Sequence, residues 1–231
     1  MKHYIASDIH GNVAAYKAMI EYMEGQGDYI LYFLGDAIDR GADGFQIMKE
    51  LLSRGDIFYF KGNHEDLFVR AAFEMADMAL EMNCSKKELV KRFGSVSALM
   101  NYGIDMSLYK ANGGESTFKD WIKEGCQMHW IYQLNRLPVF GQYENIDMCH
   151  AGCSRHDWEI GNAEAALWDR THFSESWFKD RILVHGHTPV KFTKEQHYCN
   201  NQKWNLDSGC WYTNNLSLMD IEANKIIHIQ V

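Results

Sequence analysis

The sequence predicts an α/β fold that opens with a parallel βαβαβ unit, and three observations predict it. Apolar runs of strand length alternate with segments of helical spacing from His3 to Phe60. Each of three such runs ends in polar side chains: HYIASDIHG on Asp8 and His10, YILYFLGDAIDRG on Asp36, Asp39 and Arg40, and IFYFKGNHED on Asn63, His64, Glu65 and Asp66. Parallel strands with right-handed crossovers bring their carboxyl ends to one edge, where such sheets bind ligands.

Taken in order, HYIA is a short strand, NVAAYKAMIEYME has helical spacing, YILYFL is a continuous apolar run, FQIMKELLSR is helical, and IFYFKG is the third strand. From about residue 67 to 137 the pattern turns wholly helical: LFVRAAFEMADMALEM, KKELVKRFGSVSALM and STFKDWIKEGCQMHWIYQL, separated by NCS and NYGIDMSLYKANGGE. This insertion is expected to form a cap over the site or a plain helical layer. Strands return in LPVFGQY and NIDMCHAG around a turn at Glu144-Asn145, then in RILVHGHT, near KWNLDSG, and in the closing pair NLSLMDI and KIIHIQV around EANK. With two prolines and no Gly/Ser-rich tract there is no linker, repeat or low-complexity segment, so residues 1–231 read as a single domain.

The composition, 46% hydrophobic and 23% charged, is that of a soluble globular protein. The 31 acidic residues against 23 basic ones give a net charge of −8, which argues against a nucleic-acid partner. No apolar stretch is long enough to span a bilayer, and His3, Asp8 and His10 interrupt the stretch where a signal peptide needs an apolar core, so a cytoplasmic location is expected. The six cysteines form no CxxC pair and read as reduced thiols. Cys149 and Cys153 flank His150, but the nearby ligand candidates are oxygen and imidazole, so core packing accounts for them better than a thiolate site. The seven tryptophans read as core and cap packing rather than a base-stacking platform, given the acidic composition.

The polar residues at strand ends are Asp8, His10, Asp36, Asn63, His150, and His185 or His187. Such a mixed oxygen and imidazole set suits two divalent ions, Mn²⁺ first and Fe or Zn as alternatives, better than Ca²⁺ or Mg²⁺. Ions held about 3.5–4 Å apart need a shared anionic ligand. Asp36, on the middle strand of the three, is the expected bridge. Two divalent ions against two aspartates leave the centre electropositive, which matches a phosphate and draws a bridging water toward hydroxide, a nucleophile.

SDIHG, GDAIDRG, GNHE, HAG and GHT, in this order and spacing, resemble the signature of the calcineurin-like metallophosphoesterases, with GDAIDRG and GNHE in the form of the phosphoprotein phosphatase branch; LWDR and LDSG are similar to its small bacterial and phage members. The resemblance implies a β-sandwich flanked by helices with a dinuclear site at one edge. It implies Asp8, His10 and Asp36 as ligands of one metal, and Asp36, Asn63, His150 and His187 as ligands of the other. It makes His64 the general acid, oriented by Asp39, and Arg40 and Arg170 the clamps on phosphate oxygens. The chemistry agrees, since imidazole titrates near neutral pH, a carboxylate keeps it protonated, and guanidinium grips phosphate in a bidentate fork.

Between His185 and His187 the spacing does not choose, because residues two apart on a strand point the same way. Gly186 permits a turn that would carry His187 over the metals, and the phage members have phenylalanine at the position of His185, so His187 is the expected ligand and His185 a supporting or packed imidazole. Ser7 stands where the branch usually has glycine, a small departure. Glu65 and Asp66 read as helix N-terminal residues favoured by the macrodipole. Arg170 has an alternative reading as an ion pair with Asp169 or Glu175. His3, His129, His156, His172, His197 and His228 read as structural or surface residues.

The resemblance implies a metal-dependent phosphomonoesterase, foremost a serine/threonine protein phosphatase using a metal-bridging hydroxide. Its partner would be a phosphoprotein or small phosphoester substrate, with no nucleic acid and no membrane. The alternatives are a symmetrical dinucleoside tetraphosphate hydrolase, whose class shares these motifs, and a catalytically inactive scaffold of the same fold.

Overall fold

The computed structural model describes residues 1–171, 175–190, 198–199 and 202–231. The N-terminal unit runs β1 (Lys2–Ala6), α1 (Val13–Glu24), β2 (Tyr29–Phe33), α2 (Gly44–Ser53) and β3 (Ile57–Tyr59). A helical block follows in α3 (Asn63–Glu81), α4 (Lys86–Phe93), α5 (Val96–Met100), α6 (Ile104–Ala111), α7 (Glu115–Lys123) and α8 (Met128–Asn135). The second half is β4 (Phe140–Tyr143), β5 (Ile146–Cys149), α9 (Arg155–Ile160), α10 (Ala163–Trp168), β6 (Ile182–His185), β7 (Tyr198–Cys199), β8 (Lys203–Asn205), α11 (Cys210–Thr213), β9 (Asn215–Asp220) and β10 (Lys225–Gln230).

Two mixed sheets result, in the orders β10-β9-β1-β2-β3 and β4-β5-β6-β8-β7. The strands β1, β2 and β3 are parallel, with Ile5 opposite Tyr32 and Tyr32 opposite Phe58, so the βαβαβ reading holds and β2 lies between the other two. Ile5, Leu34 and Phe60 from the first sheet pack against Met148, Val184 and Trp204 from the second, so the sheets stack face to face as a sandwich. A larger core buries the other face of the first sheet under α1, α2 and the helical block, and a smaller one around Cys149, Cys153 and Trp177 lies on the second sheet. Cys149 and Cys153 are thus packing residues, as their sequence context suggested.

The helical block is cut more finely than its periodicity indicated. The third strand hands over to helix at once: Asn63 and His64 lie inside α3 and not in a loop before it, with Gly62 as N-cap. KKELVKRFGSVSALM breaks at Gly94, which ends α4 with a φ of 81°. STFKDWIKEGCQMHWIYQL breaks at Gly125 and Cys126, both at positive φ. The segment NYGIDMSLYKANGGE, expected as a separator, contains α6. The short helices α9, α10 and α11 carry no signal long enough to show in the periodicity.

Phe68 of α3 joins block and sheet. It is fully buried, with ring centroids 5.6 Å from Tyr109, 5.8 Å from Trp121, 6.3 Å from Phe118 and 6.5 Å from Phe45 of α2. One continuous apolar core therefore runs from the first sheet into the block. None of the described helices is long and apolar enough to cross a membrane. Phe68→Ala is expected to lower stability by about 3–5 kcal/mol, read by urea denaturation. Sheet and block should still unfold in one transition; separate transitions for them would show that the block is an independent unit.

Candidate active site

The edge where β1, β2, β3, β5 and β6 end is built from backbone that few residues adopt. Asp8, His10, Asp36, Asp39, Arg40 and His187 all have φ between 45° and 70°, in the left-handed region. Such conformations cost free energy and persist only where the surroundings fix them. Here Asp8 N–H donates to Gly35 O, His10 N–H to Asp36 O and Gly41 N–H to His10 O, which laces the first two loops together. Two glycines are required by close approach. A Cβ on Gly62 would lie 2.2 Å from Asp36 Oδ1, and one on Gly186 would lie 2.0 Å from Asp8 Oδ2. Gly186 thus serves by letting Asp8 in, while the turn itself is made at His187.

Asp36 is the hub. Its Oδ2 lies 3.4 Å from His150 Nε2, 3.5 Å from His10 Nε2 and 3.8 Å from His64 Nε2, and its Oδ1 accepts from His64 N–H at 3.0 Å. Asn63 Oδ1 is 2.9 Å from both His150 Nε2 and His187 Nδ1. Asp8 Oδ1 is 3.9 Å from His10 Nε2. Among the described residues, two groups bring ligand atoms within 4.8 Å of one another: His10, Asp36 and His64, and Asp36, His150 and His187. Distance alone therefore sets His64 in the first group, where the motif places Asp8, which among the imidazole nitrogens reaches only His10 within 4 Å. The bonds of His64 point elsewhere, as follows.

His64 Nδ1 meets Asp39 Oδ2 at 2.8 Å, and its Nε2 has Arg40 Nη2 at 3.3 Å. Asp39 is itself held from the helical block: Tyr109 Oη donates to Asp39 Oδ1 at 2.5 Å, and Asp39 N–H donates to Thr117 Oγ1 at 3.1 Å. His10 and His150 are oriented by Ile38 O at 2.9 Å and Leu34 O at 2.8 Å, on Nδ1 in each case, which aims their Nε2 atoms inward. Arg170 Nη1 donates to His187 O and Thr188 Oγ1, both at 3.1 Å, so its guanidinium stands at the His187 side of the cluster. Arg40 and Arg170 are exposed, while the residues between them are buried.

Burial disfavours charge throughout this cluster, and the neighbours decide which groups keep it. Burial opposes the His64 cation, but Asp36 and Asp39 outweigh it and hold its pKa above the usual value. His150 is likewise opposed by burial and pushed up to about 10 by Asp36 and Asp8. Burial raises Asp8, helped by Asp36, and pushes His187 down to about 2. Asp8 Oδ1, His10 Nε2 and His187 Nε2 are buried without a hydrogen-bond partner among the described residues. Buried polar atoms are normally satisfied, so unsatisfied oxygen and imidazole donors beside one shared carboxylate fit divalent cations.

His185 lies apart from this cluster. It is buried against Gly152, where a Cβ would come 3.1 Å from its Cγ, and burial lowers its pKa to about 4. Several residues matter here in ways that the motifs do not show. Ser7, a small departure from the pattern, donates through its hydroxyl to Asp8 Oδ2 at 2.5 Å. Glu65 does sit in the first turn of α3, but its carboxylate is buried and bonds loops from two strands. Tyr109 and Thr117 carry no motif, and only the fold brings them to Asp39. His172 and His197 lie outside the described residues, His156 is exposed on α9, and His3 pairs with Glu222.

Comparison with known proteins agrees with this geometry. The asymmetrical bis(5'-nucleosyl)-tetraphosphatase PrpE of Oceanobacillus iheyensis is 21% identical over 99% of this chain and 92% of its own length. The symmetrical bis(5'-nucleosyl)-tetraphosphatase of Wigglesworthia glossinidia brevipalpis is 33% identical over 28% of this chain and 25% of its own. Similar folds are those of a cold-active protein-tyrosine phosphatase of a psychrophilic Shewanella, at a TM-score of 0.59 and 16% identity over 98% of this chain and 77% of that one, and of a protein serine/threonine phosphatase of Saccharomyces cerevisiae, at 0.56 and 13% over 100% and 80%. Residues 1–224, which include every strand end described above, match the calcineurin-like phosphoesterase family, and the chain belongs to it.

Proposed function

We propose that this chain is a metal-dependent phosphoester hydrolase in which water attacks phosphorus and His64 protonates the departing oxygen. The family implies a dinuclear divalent centre, and the residues present fit it: Asp8, His10 and Asp36 would hold one ion, and Asp36, Asn63, His150 and His187 the other. When bound, such a pair supplies positive charge that acidifies water and neutralises phosphate oxygens. The chain does the rest. Asp39 holds His64 by Nδ1 and favours its cation, so that Nε2 can deliver a proton on the side where Arg40 stands. Arg40 and Arg170 flank the buried cluster from opposite sides and can each present a fork of donors to phosphate oxygens.

The observation that carries this reading is the His64–Asp39 pair, 2.8 Å apart and fully buried, with an imidazole nitrogen 3.8 Å from the Asp36 carboxylate. An inert scaffold has no need of an acid and its orienting carboxylate beside a ligand cluster. On substrate, GDAIDRG and GNHE are shared by the two classes weighed above and choose neither. A dinucleoside polyphosphate is favoured by likeness to a tetraphosphatase over nearly the full length of both chains. A phosphoserine or phosphothreonine protein is the second reading, favoured by the exposure of both guanidiniums at the mouth of the site, where a protein surface can reach them.

Chelator-treated protein should be inert toward 4-nitrophenyl phosphate and dinucleoside tetraphosphate and should regain turnover with Mn²⁺; full turnover by protein verified as metal-free would overturn the reading. His64→Asn should lower kcat by about 10²–10⁴-fold on an alkyl phosphate and clearly less on nitrophenyl phosphate, with bound metal unchanged. Equal losses on both would remove the acid role. Tyr109→Phe should act in the same direction but more weakly, by about 10-fold, the cost of one hydrogen bond to a charged group, and should also spare the better leaving group. A loss that ignores the leaving group would mean that Tyr109 only packs.

A further inference from the structure

The helix α11, in the segment LDSGCWYTNN, is four residues long and presents two large aromatics at the surface: Trp211 is 45% exposed and Tyr212 56%. Its backbone is pinned. Asn12, from the loop that follows β1, donates through Nδ2 to Cys210 O at 3.3 Å and to Asn214 Oδ1 at 3.2 Å; Gly209 N–H donates to Asp207 Oδ1 at 2.8 Å; and Cys210 is fully buried. Tyr212 folds back over Gly209, where a Cβ would meet its ring at 2.4 Å. Trp211 stands free of that contact, with the guanidinium of Arg40 over its ring at 5.9 Å from the centroid. Arg40 is also fixed from its other side, by Gly113 O on its backbone N–H at 3.3 Å. The indole, with the Tyr212 ring edge-on at 5.1 Å, thus lies one guanidinium away from Nε2 of His64.

We propose that Trp211 is the platform on which the base of a nucleotide leaving group stacks, with Arg40 gripping the phosphate between that base and the scissile bond. The inference rests on the hydrolase reading above and names the substrate class of the same site. The order His64, Arg40, Trp211 selects a planar group carried beyond a further phosphate. An aryl ring joined to the scissile phosphorus through the ester oxygen alone, as in phosphotyrosine, would meet the guanidinium before the indole. A phosphoserine side chain brings no ring at all. In the reaction the oxygen of water joins one phosphorus, the bond from that phosphorus to the bridging oxygen breaks, the departing nucleotide takes its proton on that oxygen from His64, and the proton that water gives up passes to solvent, from which His64 is reprotonated. An otherwise acidic surface disfavours polyphosphate, so a cation backed by an exposed indole is a local exception that suits a nucleotide.

The test compares kcat/KM of the Mn²⁺-loaded full chain and its Trp211→Ala and Trp211→Phe variants on diadenosine tetraphosphate, 4-nitrophenyl phosphate and a phosphotyrosine peptide. Stacking of one base predicts a loss of about 5- to 100-fold on the dinucleotide for Trp211→Ala, at least 5-fold greater than its loss on nitrophenyl phosphate, carried mainly by KM, and largely restored in Trp211→Phe. ADP should likewise lose potency as an inhibitor of nitrophenyl phosphate turnover while pyrophosphate does not. Equal losses on all substrates would make Trp211 a structural residue, and a loss confined to the phosphotyrosine peptide would give the platform to an aryl ring; either overturns the proposal. Turnover of nitrophenyl phosphate with none of the dinucleotide would overturn it and leave the hydrolase reading intact, whereas no turnover of any phosphoester would remove that reading itself.

Discussion

The carboxylate of Glu65 is the contact on which the site's geometry depends. It is fully buried and accepts from Asp36 N–H at 2.8 Å, Ala37 N–H at 3.0 Å, Gly62 N–H at 2.8 Å and Tyr59 Oη at 2.8 Å. These donors belong to the exit of β2, the end of β3 and the cap of α3. One side chain therefore fixes the hub aspartate to the helix that carries Asn63 and His64. Burial and the nearby Asp36 push the pKa of Glu65 up, and the donors pull it back. Burial raises the Tyr59 hydroxyl far above its usual range, with Glu65 adding to the effect, so it remains a neutral donor. Replacing such an acceptor leaves buried N–H groups without partners, which costs more than the bonds themselves contribute.

Beyond that anchor, His64, the proposed acid, is held from a direction that the α/β frame does not supply. Asp39 is oriented by Tyr109 of α6 and Thr117 of α7, and Tyr109 packs its ring against Phe68 of the same α3 that presents His64. The helical block is therefore more than a cover. It carries the hydrogen bonds that set the Asp39 carboxylate, so sequence changes there reach the chemistry through a short chain of contacts. The loop between α6 and α7 also holds Arg40 through Gly113 O, which makes one insertion responsible for positioning both the partner of His64 and Arg40.

The electrostatics follow from the same crowding. Asp8 and Asp36 lie in a buried cluster with four imidazoles, and burial alone would neutralise all of them. Protons on His64 and His150 keep Asp36 ionised, its pKa held well below the ordinary value despite the opposing effect of burial. Divalent cations held by these residues would do the same work more completely, and the imidazoles that ligate them would do so as neutral groups. The site is thus coherent as a cation trap within a chain of net charge −8, with its two guanidiniums placed at the rim where phosphate would arrive.

Local spacing along the chain dictates part of this molecule. Strand-length apolar runs alternating with helical periods fix a parallel unit, and polar residues at the ends of those runs must share an edge, so Asp8, His10, Asp36, Asn63, His64 and His150 were legible as neighbours before any coordinates. The closing hairpins were legible for the same reason, as Glu144 and Asn224 at positive φ make the turns that GQYENID and EANK announced. Only the tertiary structure decided the rest. Helix boundaries in the block depend on glycines whose conformation periodicity does not specify, and α6 arose from a segment that reads as a separator. His185 and His187 have the same local context, and what sends one to Gly152 and the other to Asn63 is the left-handed turn at His187 beside the Asp8 carboxylate. Tyr109, Thr117 and Trp211 are remote in sequence from the residues they serve. Contacts between distant segments are set by packing, which leaves no period or motif in the chain to read.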